Sequence, residues 1–148
     1  MKINKTFLFV YYLLQWTWGC IQNICGLLVW LFLMIRNPKR ERGFFNGAVV
    51  TYWGNKYSTG LGMFIFFGHK GTRDEKEVMV HEYGHTIQSA VLGPAFLPII
   101  GLPSTIWAFT PIFVRWRREK RYTYGQFYPE AWANIWGSKV TGLPAPKR

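Results

Sequence analysis

The chain has 148 residues, enough for one domain with one hydrophobic core and too few for an enzyme with a separate binding domain. Hydrophobic residues make up 49% of it and charged residues only 17%, which excludes a disordered tail and is unusual for a small water-soluble domain. The net charge of +11 suits a nucleic-acid binder, a ribosomal-type protein or a protein at an anionic lipid surface, so the distribution of charge has to decide between them.

The first apolar stretch is typical of a membrane segment. Residues 6–35 contain no Asp, Glu, Lys or Arg, and these 30 residues exceed the roughly 20 that an α-helix needs to cross a bilayer. They also exceed the apolar region of about 7–15 residues in a cleaved signal peptide. We therefore expect an N-terminal membrane helix in the mature protein. The alternative is two short interfacial helices that break near Gly19, because a straight helix of this length would overshoot the bilayer.

One face of this predicted helix is polar. Gln15, Gly19, Gln22 and Gly26 follow one another at helical steps, and Asn23 lies beside them. We expect this face to contact protein rather than lipid, because polar and small residues in membrane helices favour helix packing. A second copy of the chain, in a homo-oligomer, would be one way to shield it.

A second uncharged stretch is interrupted by prolines. Four of the eight prolines lie between residues 94 and 111, and one straight helix cannot accommodate them all. Residues 94–114 are therefore predicted to form a Pro-broken re-entrant segment or membrane hairpin. Basic clusters at residues 36–42 and 115–121 border the two apolar stretches, and the positive-inside rule assigns both to the cytoplasmic side. A full crossing, with one cluster outside, is the alternative.

A water-facing part lies between the two apolar stretches. Residues 44–53 and 61–67 are rich in Val, Phe, Thr and Tyr, and residues 54–56 between them read G-N-K, which is typical of a turn. Residues 44–68 are therefore predicted to form a small β-hairpin.

The main chemical signal is the pentapeptide at residues 81–85, which reads H-E-Y-G-H within a predicted helix over residues 73–92. Two histidines four residues apart lie on one face of a helix and bind one Zn²⁺, whereas Glu82 lies to the side and suits a general base acting on water. Random shuffling of this composition produces the pattern in roughly 0.2% of chains, so chance explains it poorly. The alternative is a pair of hydrogen-bonding histidines on an ordinary helix.

A catalytic zinc site needs a third protein ligand and a position for water. Both cysteines lie in the first apolar stretch, and only Glu119 and Glu130 are acidic residues after the motif. Glu119 sits in a basic cluster and is more simply its charge partner, while His69 stands alone in a loop. Glu130 lies at the start of a predicted helix over residues 129–137, which makes it the candidate third ligand. Its alternative role is compensation of the helix dipole.

With these residues the sequence resembles the gluzincin zinc metallopeptidases, particularly the membrane-embedded CAAX-protease type, whose second motif reads E-x-x-A-D. Residues 130–134 here read E-A-W-A-N. The resemblance implies a zinc-dependent endopeptidase with one Zn²⁺ per chain and Glu82 as the general base. The ligands that it implies are His81, His85 and Glu130. Asn134 stands where the family has Asp, so an amide replaces the carboxylate that orients a ligand histidine.

The resemblance implies two further features of the site. In the family an extended substrate adds to the edge strand before the active helix, and residues 61–67 stand in the corresponding place. An electrophilic residue would stabilise the oxyanion, and the tyrosines after the second apolar stretch are candidates, with an aromatic belt at the membrane surface as the alternative role. These tyrosines are Tyr122, Tyr124 and Tyr128.

The sequence thus predicts an α+β membrane protein with a minimal zincin-like fold in a single domain over residues 1–148. We expect an integral protein of the cytoplasmic membrane whose active site, on the cytoplasmic face, hydrolyses membrane-associated proteins or peptides. The lipid bilayer and that substrate are the expected partners. Nucleic acid is not, because membrane topology and anionic lipid account for the basic clusters.

Two other functions stay open. A site-2-type intramembrane metalloprotease shares the first motif but takes an Asp as its third ligand, and the one Asp of the chain, Asp74, lies seven residues before His81. A non-enzymatic membrane adaptor or anionic-lipid-binding protein would leave the histidines incidental or structural.

Overall fold

The computed structural model describes residues 4–146, which form a mixed α+β structure, mostly helical, around one small sheet. The α+β class is therefore confirmed. The helices are α1 (Lys5–Trp16), α2 (Cys20–Arg36), α3 (Glu75–Leu92), α4 (Leu102–Phe109), α5 (Pro111–Lys120) and α6 (Tyr128–Thr141). The strands are β1 (Arg42–Phe45), β2 (Ala48–Tyr52), β3 (Thr59–Leu61) and β4 (Phe64–Phe67). Short 3₁₀ and π turns occupy Gly93–Ala95, Leu97–Gly101 and Tyr124–Gln126.

The sheet contains two hairpins rather than the single one predicted over residues 44–68. Its strand order is β1-β2-β4-β3, with antiparallel pairs at both ends and a parallel pair, β2 with β4, in the middle. Asn46 and Gly47, at φ of 50° and 91°, form the turn of the first hairpin. Two consecutive positive φ angles are the geometry for which Asn-Gly is favoured between strands. The edge strand beside α3 is therefore β3, and β4 is an inner strand.

Strand β4 is buried on both faces, which explains its run of four apolar residues. Ile65 and Phe67 belong to a core cluster with Tyr83 of α3. Phe64 and Phe66 belong to a second cluster with Tyr11 of α1. The sheet therefore has α3 on one face and the N-terminal helices on the other, which fixes α3 against the sheet.

The N-terminal segment forms two helices, so the single helix expected over residues 6–35 is wrong and the break near Gly19 is confirmed. Helices α1 and α2 meet at 89°. Within residues 4–146 no single helix is both long and apolar enough to cross a membrane; two bent pairs, α1 with α2 and the helix from Glu75 with the one ending at Phe109, reach that length and composition together.

The break lets the polar face of both helices dock onto the rest of the chain. The Gln15 side-chain amide donates to the backbone carbonyl of Thr86 at 2.8 Å, and Gln22 donates to that of Gly93 at 2.6 Å. The Asn23 side-chain oxygen accepts from the backbone of Met63 at 2.9 Å. The expectation that this face contacts protein is therefore confirmed. These three side chains are fully buried within one chain, so no second copy is needed to shield them.

Residues 93–120 form a broken helical path, as the prolines predict. Gly93 ends α3 at a φ of 54°, and a 3₁₀ turn and a π turn follow before α4. Extended backbone at Thr110 separates α4 from α5, since the residue before a proline disfavours helical geometry. This path folds α4 back towards the start of α6, where the Ser104 side chain contacts Glu130.

Candidate metal centre

Close packing of α3 against α6 brings the two sequence motifs together. A Cβ atom on Gly84 would lie 2.0 Å from the carbonyl oxygen of Ala133, and one on Gly137 would lie 2.1 Å from that of Val80. Real Cβ atoms do not approach an oxygen so closely, so glycine at these two positions permits the helix contact. The middle of the first motif therefore meets the second motif directly, which places both histidines opposite Glu130.

Three buried side chains converge at this contact. The Nε2 atom of His81 lies 3.1 Å from Oε2 of Glu130, and the Nε2 atom of His85 lies 3.5 Å from the same oxygen. One ligand atom from each residue falls within 4.8 Å of the others. The Glu130 carboxylate is fully buried, and the two imidazoles are 12% and 10% exposed. This group could hold a metal ion.

The Glu130 carboxylate contains a buried atom that needs a partner. Its Oε2 atom is shielded from solvent and has no hydrogen-bond partner within the described residues as long as the two imidazole nitrogens that face it carry no proton. Buried carboxylate oxygens are normally satisfied, because leaving one unpaired is costly. Two imidazole nitrogens face this oxygen, and a cation between the three atoms would satisfy it. The donor set therefore fits a metal ion.

Each imidazole is oriented by a hydrogen bond at its other nitrogen. The Nδ1 atom of His81 lies 2.7 Å from Oδ1 of Asn134, and that of His85 lies 2.8 Å from Oε1 of Gln88. Amide oxygens only accept, so each Nδ1 carries the proton and each Nε2 presents its lone pair to the centre. Gln88 is held in turn, because its Nε2 donates to the Pro129 carbonyl at 3.0 Å.

The electrostatics of the three residues are coupled. Burial acts to raise the pKa of Glu130, but the adjacent His81 and His85 outweigh it and hold this pKa well below its usual range. Burial acts to lower the pKa of His85, but Glu130 and Gln88 outweigh it and raise this pKa. Without a metal ion the carboxylate and the imidazole of His85 therefore each favour the charged form of the other, and a bound cation would take the place of the positive charge beside Glu130.

Glu82 lies beside the three candidate ligands but is not one of them. Its side chain is 5% exposed, and its Oε2 atom has no hydrogen-bond partner within the described residues. Burial raises the pKa of Glu82 to about 7, with a smaller rise from Glu130, against the lowering effects of His81 and the Gly60 backbone. A carboxylate with a pKa near neutrality can both take up and release a proton, which is the property of a general base.

The centre opens into a cavity of about 780 Å³. Glu82 and the three ligand side chains all line it, together with residues from β3, α4, α5 and the turn before α6. A smaller cavity of about 330 Å³ lies between Thr59–Leu61 and residues 96–105, and His85 lines both. The three side chains therefore border cavities in the size range of ligand pockets.

Ser104 and Tyr124 complete the wall next to Glu130. The Ser104 hydroxyl donates to Oε1 of Glu130 and lies 3.2 Å from the Tyr124 hydroxyl. Burial raises the pKa of Tyr124 and the charge of Glu130 raises it further, so the phenol keeps its proton. Of the three tyrosines considered from the sequence, Tyr124 is the one that lines the larger cavity. The hydroxyls of Tyr122 and Tyr128 donate instead to the carbonyls of Gln126 and Ile99.

The other acidic and histidine residues considered from the sequence lie outside the ligand group. Glu119 pairs with Arg115 at 2.8 Å on the surface, as predicted. His69 lines the cavity, but its Nδ1 bonds the Ser58 hydroxyl at 2.8 Å. Asp74 precedes α3 as its N-cap residue.

Sequence reasoning missed Gln88 and Ser104. Gln88 follows His85 by three residues, so helical spacing alone could have marked it as a neighbour of that ligand. Ser104 carries no local signal, because it reaches Glu130 only through the path of α4. Comparison with protein-family models, curated proteins and solved structures finds no match for this chain.

Proposed function

We propose that the protein is a zinc-dependent metallopeptidase of the gluzincin type, an endopeptidase with Glu82 as its general base. The observation that supports this most directly is the buried group of His81, His85 and Glu130, whose two imidazoles are oriented towards one unpaired carboxylate oxygen. An ordinary pair of hydrogen-bonding histidines does not require both imidazoles to direct their second nitrogens at one buried carboxylate oxygen.

The chemistry of the donor atoms favours zinc, and two of their three separations match a zinc site, while all three atoms lie within 4.8 Å of one another. Ligands at about 2.0–2.1 Å from a tetrahedral zinc ion lie about 3.3 Å from one another. The two nitrogen-to-oxygen distances in this group are 3.1 and 3.5 Å. Two histidines and one glutamate are also a known ligand set of catalytic zinc, which leaves one position for water. The one Asp of the chain is not in the group, which disfavours the site-2-type alternative.

Each residue around the metal site has a separate role in the proposed peptide hydrolysis. Zinc at this position would polarise the peptide carbonyl and lower the pKa of water towards about 7. The unpaired Oε2 of Glu82 accepts the proton of the attacking water and then delivers it to the leaving amine. The Tyr124 hydroxyl, which stays protonated, donates to the negative charge that develops on the carbonyl oxygen. Asn134 and Gln88 hold the ligand imidazoles in the required orientation.

An extended peptide fits the space beside the centre. Strand β3 pairs with β4 on one side and borders the smaller cavity, which also contains His85. A peptide segment that adds to an exposed strand edge gains main-chain hydrogen bonds whatever its side chains are. Gly60 brings the strand close to the active helix, because a Cβ there would lie 2.8 Å from the Glu82 carbonyl oxygen. Substrate bound in this way would pass directly over the metal ligands.

We also propose that the enzyme acts at the cytoplasmic face of a membrane, on membrane-associated proteins or peptides. The faces of α1 and α2 away from the protein carry many exposed apolar side chains, including Phe9, Leu28, Phe32 and Ile35 at 58–79% exposure. An exposed apolar surface of this extent is typical of a site that binds a membrane or another protein. Basic residues follow it at 36–42, and a second basic cluster at 115–121 follows α4. Anionic lipid headgroups match this combination of apolar surface and positive charge.

Peptide hydrolysis tests the proposed activity. Purified protein loaded with zinc is incubated with a mixture of peptides, and mass spectrometry identifies the products. We expect cleavage by the wild type and loss of at least about 100-fold in Glu82→Gln, which keeps the shape of the side chain and removes the base. Glu119→Gln, which removes a surface carboxylate, serves as the matched control. Equal cleavage by Glu82→Gln and the control would contradict the proposed mechanism.

Vesicle binding tests the membrane proposal separately. We expect the wild type and Glu82→Gln to sediment equally with vesicles of phosphatidylcholine and phosphatidylserine. Replacing Phe32 and Ile35 by serine should reduce the bound fraction, because both side chains are exposed and apolar. Undiminished binding of that variant would contradict a lipid contact at the end of α2.

A further inference from the structure

Arg117 differs from the other residues of its basic cluster. Arg115, two residues earlier, is 81% exposed and pairs with Glu119. Arg117 lines the larger cavity, and it is the one lysine or arginine among the described residues that do so. Although the basic cluster as a whole suits an anionic surface, this member of it is directed towards the cavity that contains the metal ligands.

Two aromatic rings hold the Arg117 guanidinium in place. Its Cζ atom lies 4.9 Å from the ring centroid of Trp107 and 5.3 Å from that of Tyr124. Trp107 is itself buried, and its indole nitrogen donates to the Tyr124 carbonyl at 3.3 Å. Contacts of a cation with aromatic faces fix its position without using its N–H donors. The guanidinium is therefore positioned by contacts that use none of its N–H donors.

One of these donors is buried and unsatisfied. The Nη1 atom of Arg117 is shielded from solvent and has no hydrogen-bond partner within residues 4–146. The ion pairs found in this part of the chain do not include Arg117 either. Burying a charged donor without an acceptor is costly, and a planar guanidinium matches a carboxylate with two parallel hydrogen bonds. The arrangement is that of a receptor for an anionic group.

Tyr124 connects this receptor to the metal centre. Its ring contacts the Arg117 guanidinium, and its hydroxyl lies 3.2 Å from Ser104, which donates to Glu130. An extended peptide advances about 3.5 Å per residue. A peptide whose scissile bond lies at the metal ligands would therefore reach Arg117 within a few residues.

We propose that Arg117 binds a carboxylate group of the peptide substrate and so selects where the peptide is cut. This inference rests on the proposed peptidase function and adds a substrate class to it. The carboxylate belongs either to an Asp or Glu side chain near the scissile bond or to the C-terminus of the peptide. In either case Arg117 determines specificity, whereas the chemistry of bond cleavage depends on Glu82 and the metal ligands.

Matched peptides and two variants test the proposal. One peptide that the wild type cleaves is resynthesised in pairs, with Asp or Glu changed to Asn or Gln at single positions, and with a free or an amidated C-terminus. The ratio of kcat/KM for the acid over its neutral partner is measured in the wild type, Arg117→Gln and Arg117→Lys. Zinc content is measured in each protein to show that the metal centre is intact.

We expect the wild type to favour the acid of one pair by about 10- to 100-fold, the contribution of a charged hydrogen bond. That ratio should fall towards one in Arg117→Gln and recover in part in Arg117→Lys, which restores the charge without the planar fork. The pair that shows the preference identifies the source of the carboxylate. A ratio of about one in the wild type for every pair, or an unchanged ratio in Arg117→Gln, would overturn the proposal.

A binding measurement separates the failure of this proposal from failure of the peptidase function. If the wild type cleaves no peptide, calorimetric titration with acetylated tripeptides still compares a free carboxylate with its amide, at the C-terminus and on a side chain. Tighter binding of one acid by the wild type, lost in Arg117→Gln, supports the receptor. Equal binding of acid and amide, or no binding of either, overturns it.

Discussion

The side-chain oxygen of Asn134 lies 2.7 Å from Nδ1 of His81. The family that the sequence resembles has a carboxylate at this position. An amide can therefore fulfil the orienting role, because its oxygen accepts the same hydrogen bond. What it lacks is the negative charge that raises the basicity of a ligand imidazole. An amide at this position thus keeps the hydrogen bond to His81 without adding a negative charge beside it.

Variants of Asn134 separate these two contributions. We expect Asn134→Ala to weaken zinc binding by about 10- to 100-fold, because the imidazole loses its orienting partner. Asn134→Asp restores the carboxylate and should bind zinc at least as tightly as the wild type. Competition with a zinc-binding dye measures both. Wild-type affinity in Asn134→Ala would show that this hydrogen bond does not orient the ligand.

Gln88 supports His85 and also ties α3 to the start of α6. Gln88→Ala should weaken zinc binding by about 10- to 100-fold, as expected for a residue that orients a ligand. Gln88→Glu still accepts from the imidazole but cannot donate to the Pro129 carbonyl. We expect this variant to keep more of the zinc affinity and to lose about 1–3 kcal/mol of unfolding free energy. Denaturant unfolding measures the stability of the two variants, and dye competition measures their zinc affinity. If the two variants behave alike in both measurements, Gln88 does not have two separate roles.

Gly84 sets the distance between the two motifs. In Gly84→Ala the added methyl group meets the Ala133 carbonyl, so the helices must move apart. We expect a loss of about 1–3 kcal/mol in unfolding free energy, typical of overpacking, together with weaker zinc binding. Gly43→Ala is the control, because a Cβ there meets nothing within 4 Å. Equal stability of the two variants in denaturant would contradict the close packing.

Chelation should destabilise the protein in a pH-dependent way. Free zinc at a concentration 100 times its dissociation constant raises the free energy of unfolding by about 2.7 kcal/mol. A chelator should remove this stabilisation, and added zinc should restore it. In the metal-free protein the pKa of His85 is raised from its ordinary value of 6.5. The stability that this shift contributes is present below pH 6.5 and is lost as the pH rises through the higher pKa of the folded protein. Protons therefore compete with zinc at low pH.

The stabilisation by zinc should consequently be larger at about pH 7.5 than at about pH 5.5. Thermal unfolding with and without a chelator at both pH values measures it. Stabilisation that is equal at the two pH values, or larger at the lower one, would argue against histidine ligands.

Local patterns predicted much of the candidate site. His81 and His85 share a helix face by spacing alone, and Pro129 marks the start of the helix that carries Glu130. Gln15, Gln22 and Asn23 form a polar face that predicts burial against protein, although it does not reveal which carbonyls they bond. These features depend on residues within a few helical turns of one another, so the sequence contains enough information for them.

Features that depend on chain topology were not predicted. The parallel pairing of β2 with β4 joins strands that are separated in the chain by β3, and periodicity does not specify partners. The length of the uncharged stretch at residues 6–35 favoured one helix, whereas docking of its polar face requires the bend. Arg117 reads as one more residue of a basic cluster, because its contacts with Trp107 and Tyr124 depend on how α4, α5 and the following turn fold together.

Zinc content per chain, determined by elemental analysis of the purified protein, is the most direct test of the proposed metal centre. The account predicts about one zinc ion in the wild type, lost in both His81→Ala and Glu130→Ala and retained in Glu119→Gln. Zinc that persists in Glu130→Ala but not in His81→Ala would show that Glu130 is not the third ligand and would contradict the gluzincin proposal. No zinc in the wild type, even after reconstitution, would contradict the metallopeptidase proposal itself.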